Sequence, residues 1–142
     1  MRSDSASGDA PITQWMRSEG DALLRTCYLL CGDLSVARQA TRQAFVNTAP
    51  KLNASSVFDD HALLLALLRE AFRLCPCRSM HSVPFSRRDV AFQFRQLPPN
   101  LRRVALLCLY HGLNTEEAAY VLRCEETRVH RDLSRAKELL RI

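Results

Sequence analysis

Three arginines near the end of the chain, Arg128, Arg131 and Arg135, stand three and four positions apart, a spacing that gathers them on one side of a helix. At 100° per residue they fall within an arc of about 60°, with Thr127, His130 and Ser134 alongside. Val129, Leu133, Ala136 and Leu140 fill a second arc of similar width, roughly opposite. One face can anchor such a helix while the other offers cations to phosphates and base edges. A solvated helix face is the plainer reading of the same three side chains.

The remaining reactive residue types are scattered. Cys27 and Cys31 are one helical turn apart, but on the apolar face that carries Leu24, so they read as core thiols. Cys75-Pro76-Cys77 has the spacing of a tight thiol pair, with no histidine at ligand distance in sequence. Cys108 sits among leucines, and Cys124 stands in a turn. His61, His81 and His111 join no constellation, and neither a Ser/His/Asp set nor a carboxylate pair can be argued. Glycine is too sparse, at four residues, for a phosphate-cradling loop. No enzyme, no metal and no cofactor is expected.

These residues need helices to hold them, and the hydrophobic pattern supplies little else. Residues 1–11 read as a disordered lead ending at Pro11. Ala22, Leu23, Leu24, Cys27, Leu30 and Cys31 recur at helical spacing and predict a first helix from Trp15 to Cys31, closed by Gly32. Asp33 fits as the N-cap of a second helix, Leu34 to Ala49, which Pro50 should end. Asn53 to Ser56 reads as a loop. Asp59 or Asp60 can cap a third helix, apolar on nearly all sides, to about Leu74. Residues 79–89 read as a linker. Beyond it come a short helix, Val90 to Gln96, and a helix over 99–111 with Pro99 at its first position and Gly112 at its end. Asn114 with Glu117 suggests a capping box for a helix from Thr115 to Leu122. After a turn at Arg123-Cys124-Glu125, the last helix starts at Glu126. The pattern predicts an all-α chain of two small helical domains, 12–78 and 90–142, the second a helix-turn-helix with Ala119 where its helices cross.

Composition agrees with that reading. The chain has 142 residues, 47% of them hydrophobic and 25% charged, enough to build a core. Twenty basic against fifteen acidic side chains leave a net charge of +5, and 18 of the cations are arginine, the better fork for phosphate and guanine. The longest apolar run, Ala62 to Leu68, is far short of the about 20 residues a membrane span requires. Met1 to Gly20 lacks an apolar signal segment, so a cytoplasmic setting with reduced thiols is expected.

Several stretches in order resemble a known family, the bacterial RNA polymerase sigma factors of the extracytoplasmic-function group. Leu97-Pro98-Pro99-Asn100-Leu101-Arg102-Arg103-Val104 resembles that family's Leu-Pro-x-x-x-Arg-x-Val opening of region 4. Gly112-Leu113-Asn114-Thr115-Glu116-Glu117-Ala118-Ala119 is similar to its Gly-Leu-Ser-x-Glu-Glu-Ile-Ala, and Leu133-Ser134-Arg135-Ala136 to its Leu-Ser-Arg-Ala. In the first half, Leu24 to Asp33 resembles Leu-x-x-x-Ala-Tyr-x-x-x-Gly-Asp, followed by Ala44-Phe45 where region 2 has Ala-Phe.

The resemblance implies a transcription initiation protein that docks core RNA polymerase through a region 2-like bundle and reads promoter DNA with its last helix. An anti-sigma protein is a further partner it implies. By position, the groove-facing residues are Glu126, Thr127, Arg128, His130, Arg131 and Arg135. The polymerase-docking window carries over to Asp33, Arg38, Gln39, Arg42 and Gln43. The family's acidic run is here rewritten, with Val36, Arg38, Gln39 and Gln43 at its acidic positions. Two alternatives therefore stand beside it: a DNA-binding regulator that kept the fold without polymerase docking, and a protein-interaction adaptor that binds no DNA. Arg123, Glu125 and Asp132, at positions where the family has other residues, favour the adaptor.

Overall fold

A computed structural model describes residues 3–54, 60–77 and 90–142, with side chains placed over 16–50, 60–77 and 93–142. The expected linker 79–89, His81 and Asp59 lie outside the described residues. Among the described residues every element is helical: α1 (Ser3–Cys31), α2 (Leu34–Ala54), α3 (Asp60–Leu74), α4 (Val90–Gln96), α5 (Pro99–Ala105) continued by a π-helical turn (Leu106–Tyr110), α6 (Thr115–Leu122) and α7 (Glu126–Leu140).

Local chemistry accounts for most of the boundaries. Gly32 stops α1 in the left-handed region at φ 75°, and its N–H bonds the Tyr28 carbonyl at 2.8 Å. The Asp33 carboxylate then accepts from the N–H groups of Ser35 and Val36 at 2.9 and 3.3 Å, starting α2.

Three expectations are corrected. α1 begins at Ser3, inside the stretch read as a lead, because adding residues to a helix already anchored by burial costs far less than nucleating one. α2 continues through Pro50 to Ala54, taking in Asn53. The carbonyl that loses its partner belongs to Val46, which is exposed, so water can satisfy it. The helix expected over 99–111 widens after Ala105, where His111 N–H reaches the Leu106 carbonyl five residues back at 3.0 Å. The widened turn buries Leu106 and Leu107 completely, leaves Cys108 only partly covered and directs His111 toward α1.

α3 is the central helix, packed on α1, α2 and α6. Leu63, Ala66, Leu67, Leu68, Ala71 and Phe72 are buried along it, each larger side chain contributing about 2 kcal/mol. The core runs unbroken from Leu23 and Leu30 on α1 to Val129 and Ala136 on α7. Polar contacts line the seam between the two runs of helices. His61 on α3 meets Glu117 on α6, the Arg69 guanidinium lies 4.4 Å over the Tyr120 ring, and Glu70 faces Arg123 at 3.7 Å.

The deepest of these contacts belongs to Arg102, only 1% exposed. Its Nη1 donates to the Leu30 carbonyl at 2.8 Å and its Nη2 to the Leu97 carbonyl at 3.1 Å, with Cys77 Sγ 3.4 Å away. Leu30 lies in the last turn of α1, whose carbonyls have no partner within the helix, and a cation suits the negative end of the helix dipole.

Candidate nucleic-acid interface

α6 is held at both ends by its own sequence. Asn114 accepts from the Glu117 N–H at 2.8 Å while Glu117 accepts from the Asn114 N–H at 3.1 Å, so the capping box is complete. His61 beside Glu117, together with that backbone bond, holds the Glu117 carboxyl below its ordinary range. At the other end Arg123 adopts the left-handed conformation at φ 59°, and its N–H bonds the Ala119 carbonyl. Cys124 N–H reaches the same carbonyl at 3.1 Å. This is a glycine-type helix stop built on an arginine, and the missing glycine leaves its strain in the turn.

Glu125 leads into α7 without a side-chain cap, its carbonyl taking the N–H groups of Arg128 and Val129 at 3.1 and 3.3 Å. Val129 and Ala136 are fully buried where α7 packs on α5 and α6, and Leu133 and Leu140 are partly covered. Ala119 is buried as well, and its small side chain permits the close approach of α6 and α7.

The six groove-facing candidates all lie on the exposed surface of α7: Glu126, Thr127, Arg128, His130, Arg131 and Arg135. The side chains of Arg128, Arg131 and Arg135 are 59%, 74% and 63% exposed. An open depression lined by Arg123, Cys124, Glu125, Thr127, Arg128 and Arg131 runs from the turn onto the first half of α7. It has the character of a groove wall with cations on its rim, with no enclosed space for a small molecule.

The candidates do not act as one block. Glu126 and His130 are drawn toward the start of α6, where Thr115 Oγ1 donates to Glu126 at 2.7 Å and lies 3.2 Å from His130 Nε2. With its only proton given to Glu126, the Thr115 oxygen is an acceptor for an Nε2–H of His130. Arg128 and Arg131 share the Asp132 carboxylate, at 3.9 and 3.8 Å. Arg135 pairs with Glu138 at 3.1 Å. Each guanidinium is more than half exposed and the two contacts with Asp132 are long, so these pairs hold the arginines weakly and a phosphate can compete for each.

Sequence reasoning missed three participants. Asp132 is 7% exposed although it is charged, and only its neighbours at i−4 and i−1, both arginines, signalled its role. Arg123 joins the depression through the turn conformation, and Thr115 through the α6–α7 crossing.

Asp33, Arg38, Gln39, Arg42 and Gln43, the candidates at the start of α2, are all exposed. Arg38, Gln39, Arg42 and Gln43 lie on one face of α2, where Gln43 donates to Asn47 at 2.8 Å. The Asp33 carboxylate is committed to its cap. That face is basic and amide-bearing, so it suits an acidic partner. Among the described residues no helix is long and apolar enough to cross a membrane.

No protein-family model matches the chain, and no curated protein matches its sequence.

Proposed function

We propose that this chain is a sigma-factor-like transcription initiation protein, which binds promoter DNA through a helix-turn-helix formed by α6, the turn at 123–125 and α7. The observation that carries the reading is the outward face of α7, where Arg128, Arg131 and Arg135 stand exposed while Val129 and Ala136 lock the opposite face into the core. In this reading α7 enters the major groove. Arg128 and Arg131 meet phosphates or guanine edges near the turn, and Arg135 meets the backbone one turn further on. The N-terminal helices dock core RNA polymerase through the α2 face, an anti-sigma protein is a natural antagonist, and the protein works in the cytoplasm. None of this chemistry requires a cofactor.

The test is filter binding of duplex DNA across a salt series, with the wild type and Arg131→Ala. A base contact predicts a loss of ~1–3 kcal/mol at the cognate site, and a phosphate contact predicts a salt slope smaller by about one. Affinity and slope both unchanged would remove Arg131 from the interface.

A second reading, a DNA-binding regulator that does not dock polymerase, is favoured by the exposed Arg38 and Arg42 on α2. Retention of the protein on purified core RNA polymerase, and its response to Arg38→Glu/Arg42→Glu, separates the two. No retention at low salt, with DNA binding intact, selects the regulator.

A further inference from the structure

Three cysteines far apart in sequence meet where the end of α3 packs against α1. Cys27 and Cys31 come from successive turns of α1, and Cys75 follows α3 directly; all three are 5% exposed or less. Cys75 Sγ donates to the Cys27 carbonyl at 3.3 Å, and the Cys27 and Cys31 thiols are its neighbours. Cys31 Sγ is turned to the Asp33 carbonyl at 3.4 Å. Among the described residues no group is arranged to hold a metal ion, which leaves the chemistry of the thiols with one another.

We propose that Cys27 and Cys75 form an oxidisable dithiol, converted by a hydroperoxide into a disulfide that ties the end of α3 to α1. Cys27 is the nucleophile. The Cys75 S–H is already given to the Cys27 carbonyl, and its setting beside two other sulfurs in a buried site keeps it a thiol, which leaves Cys27 to attack first. The Cys27 thiolate attacks the peroxide oxygen, the O–O bond breaks, and the departing alkoxide takes a proton to leave as alcohol or water. The resulting Cys27 sulfenic acid condenses with the Cys75 thiol, forming the S–S bond and releasing water. Two thiols lose two electrons and the peroxide gains them.

The position of Cys75 supplies the access that burial denies. Its N–H still bonds the Ala71 carbonyl at 2.8 Å, but Pro76 cannot extend the helix, so Cys75 stands at a helix end, where the local opening that admits a peroxide costs least. Two residues on, Cys77 Sγ contacts Arg102. The bridge therefore forms beside the anchor that holds the second run of helices to the first.

The test treats the folded, reduced protein with hydrogen peroxide, blocks remaining thiols with N-ethylmaleimide and maps the peptides by mass spectrometry. The expected product is a Cys27–Cys75 cross-link, reversed by dithiothreitol, with Cys108 and Cys124 alkylated. In Cys75→Ser the sulfenic acid has no partner, and a dimedone trap should label Cys27 several-fold more than in the wild type; Cys75→Ala serves if the serine does not fold. Wild-type mapping needs no variant and reads the thiols whether or not the chain binds DNA. Cross-links confined to other cysteines, a trap landing on Cys77 in place of Cys27, or a full set of alkylated thiols would each overturn the proposal.

Discussion

His111 Nε2 lies 2.8 Å from Thr26 Oγ1, a hydrogen bond that joins the end of the α5 π turn to the C-terminal part of α1 across 85 positions of sequence. The Thr26 hydroxyl donates to the Ala22 carbonyl at 3.0 Å, so its oxygen accepts and the imidazole donates from Nε2. Burial pushes the His111 pKa from 6.5 down to about 4.

That bond predicts an acid-sensitive fold with a defined window. Between pH 6.5 and about 4 the unfolded chain binds the proton that folded His111 refuses, so stability is complete above the upper value and falls as pH drops toward the lower. The shift corresponds to about 3 kcal/mol. Glu70 and Glu117, both held below 4.5 by their partners, lose their contribution only at lower pH. Urea midpoints at several pH values should show the decline beginning near neutrality. His111→Gln, whose amide can still donate to Thr26, should flatten it, and an unchanged decline in that variant would assign the acid sensitivity to another group.

Arg102 is expected to behave as a structural residue despite its charge. Lysine keeps the charge but lacks the planar fork that reaches the Leu30 and Leu97 carbonyls together, so Arg102→Lys should cost about 2 kcal/mol. Arg102→Ala adds a cavity and should cost about 3–5 kcal/mol. Chemical denaturation measures both, and a lysine variant as stable as the wild type would show that one carbonyl contact suffices.

Arg123 occupies a left-handed backbone position that glycine adopts without strain. Arg123→Gly removes that strain, about 1 kcal/mol, at the loss of a long, half-exposed contact with Glu70 that contributes less. The variant should therefore melt higher. If the depression that Arg123 lines faces DNA, the same variant should bind duplex DNA more weakly, so melting and binding move in opposite directions.

Asp132 holds Arg128 and Arg131 with one nearly buried carboxylate. Asp132→Asn keeps the shape, removes the negative charge and leaves both guanidinium groups to an incoming phosphate. DNA affinity at low salt should rise several-fold with a steeper salt dependence, and equal affinity in the two proteins would place these arginines away from the DNA.

Much of the architecture was readable in short stretches of residues, because the forces that write it act within a turn or two. Gly32 with Asp33, Pro99, and Asn114 with Glu117 punctuate helices through a backbone angle or a cap that involves near neighbours. The two faces of α7 follow from helical periodicity, which is why every groove-facing candidate is exposed and Val129 and Ala136 are buried. The placement of Cys27 and Cys31 in the core rested on the same periodicity.

Elsewhere the sequence pointed another way, and packing between distant segments prevailed. Pro50 reads as a stop, yet the lost hydrogen bond falls on an exposed residue and α2 continues. The π turn after Ala105 has no signature among its five apolar residues; it forms where Leu106 and Leu107 bury completely and His111 meets Thr26. Arg102 belonged to a motif, but the Leu30 carbonyl that explains its burial lies 72 positions away. Cys75 reads as half of a pair with Cys77 until α3 sets it beside Cys27. Helix starts, stops and faces are local free-energy differences that a few neighbouring residues fix. The partner of a buried polar group depends on which helices pack together, a choice made by the whole core at once.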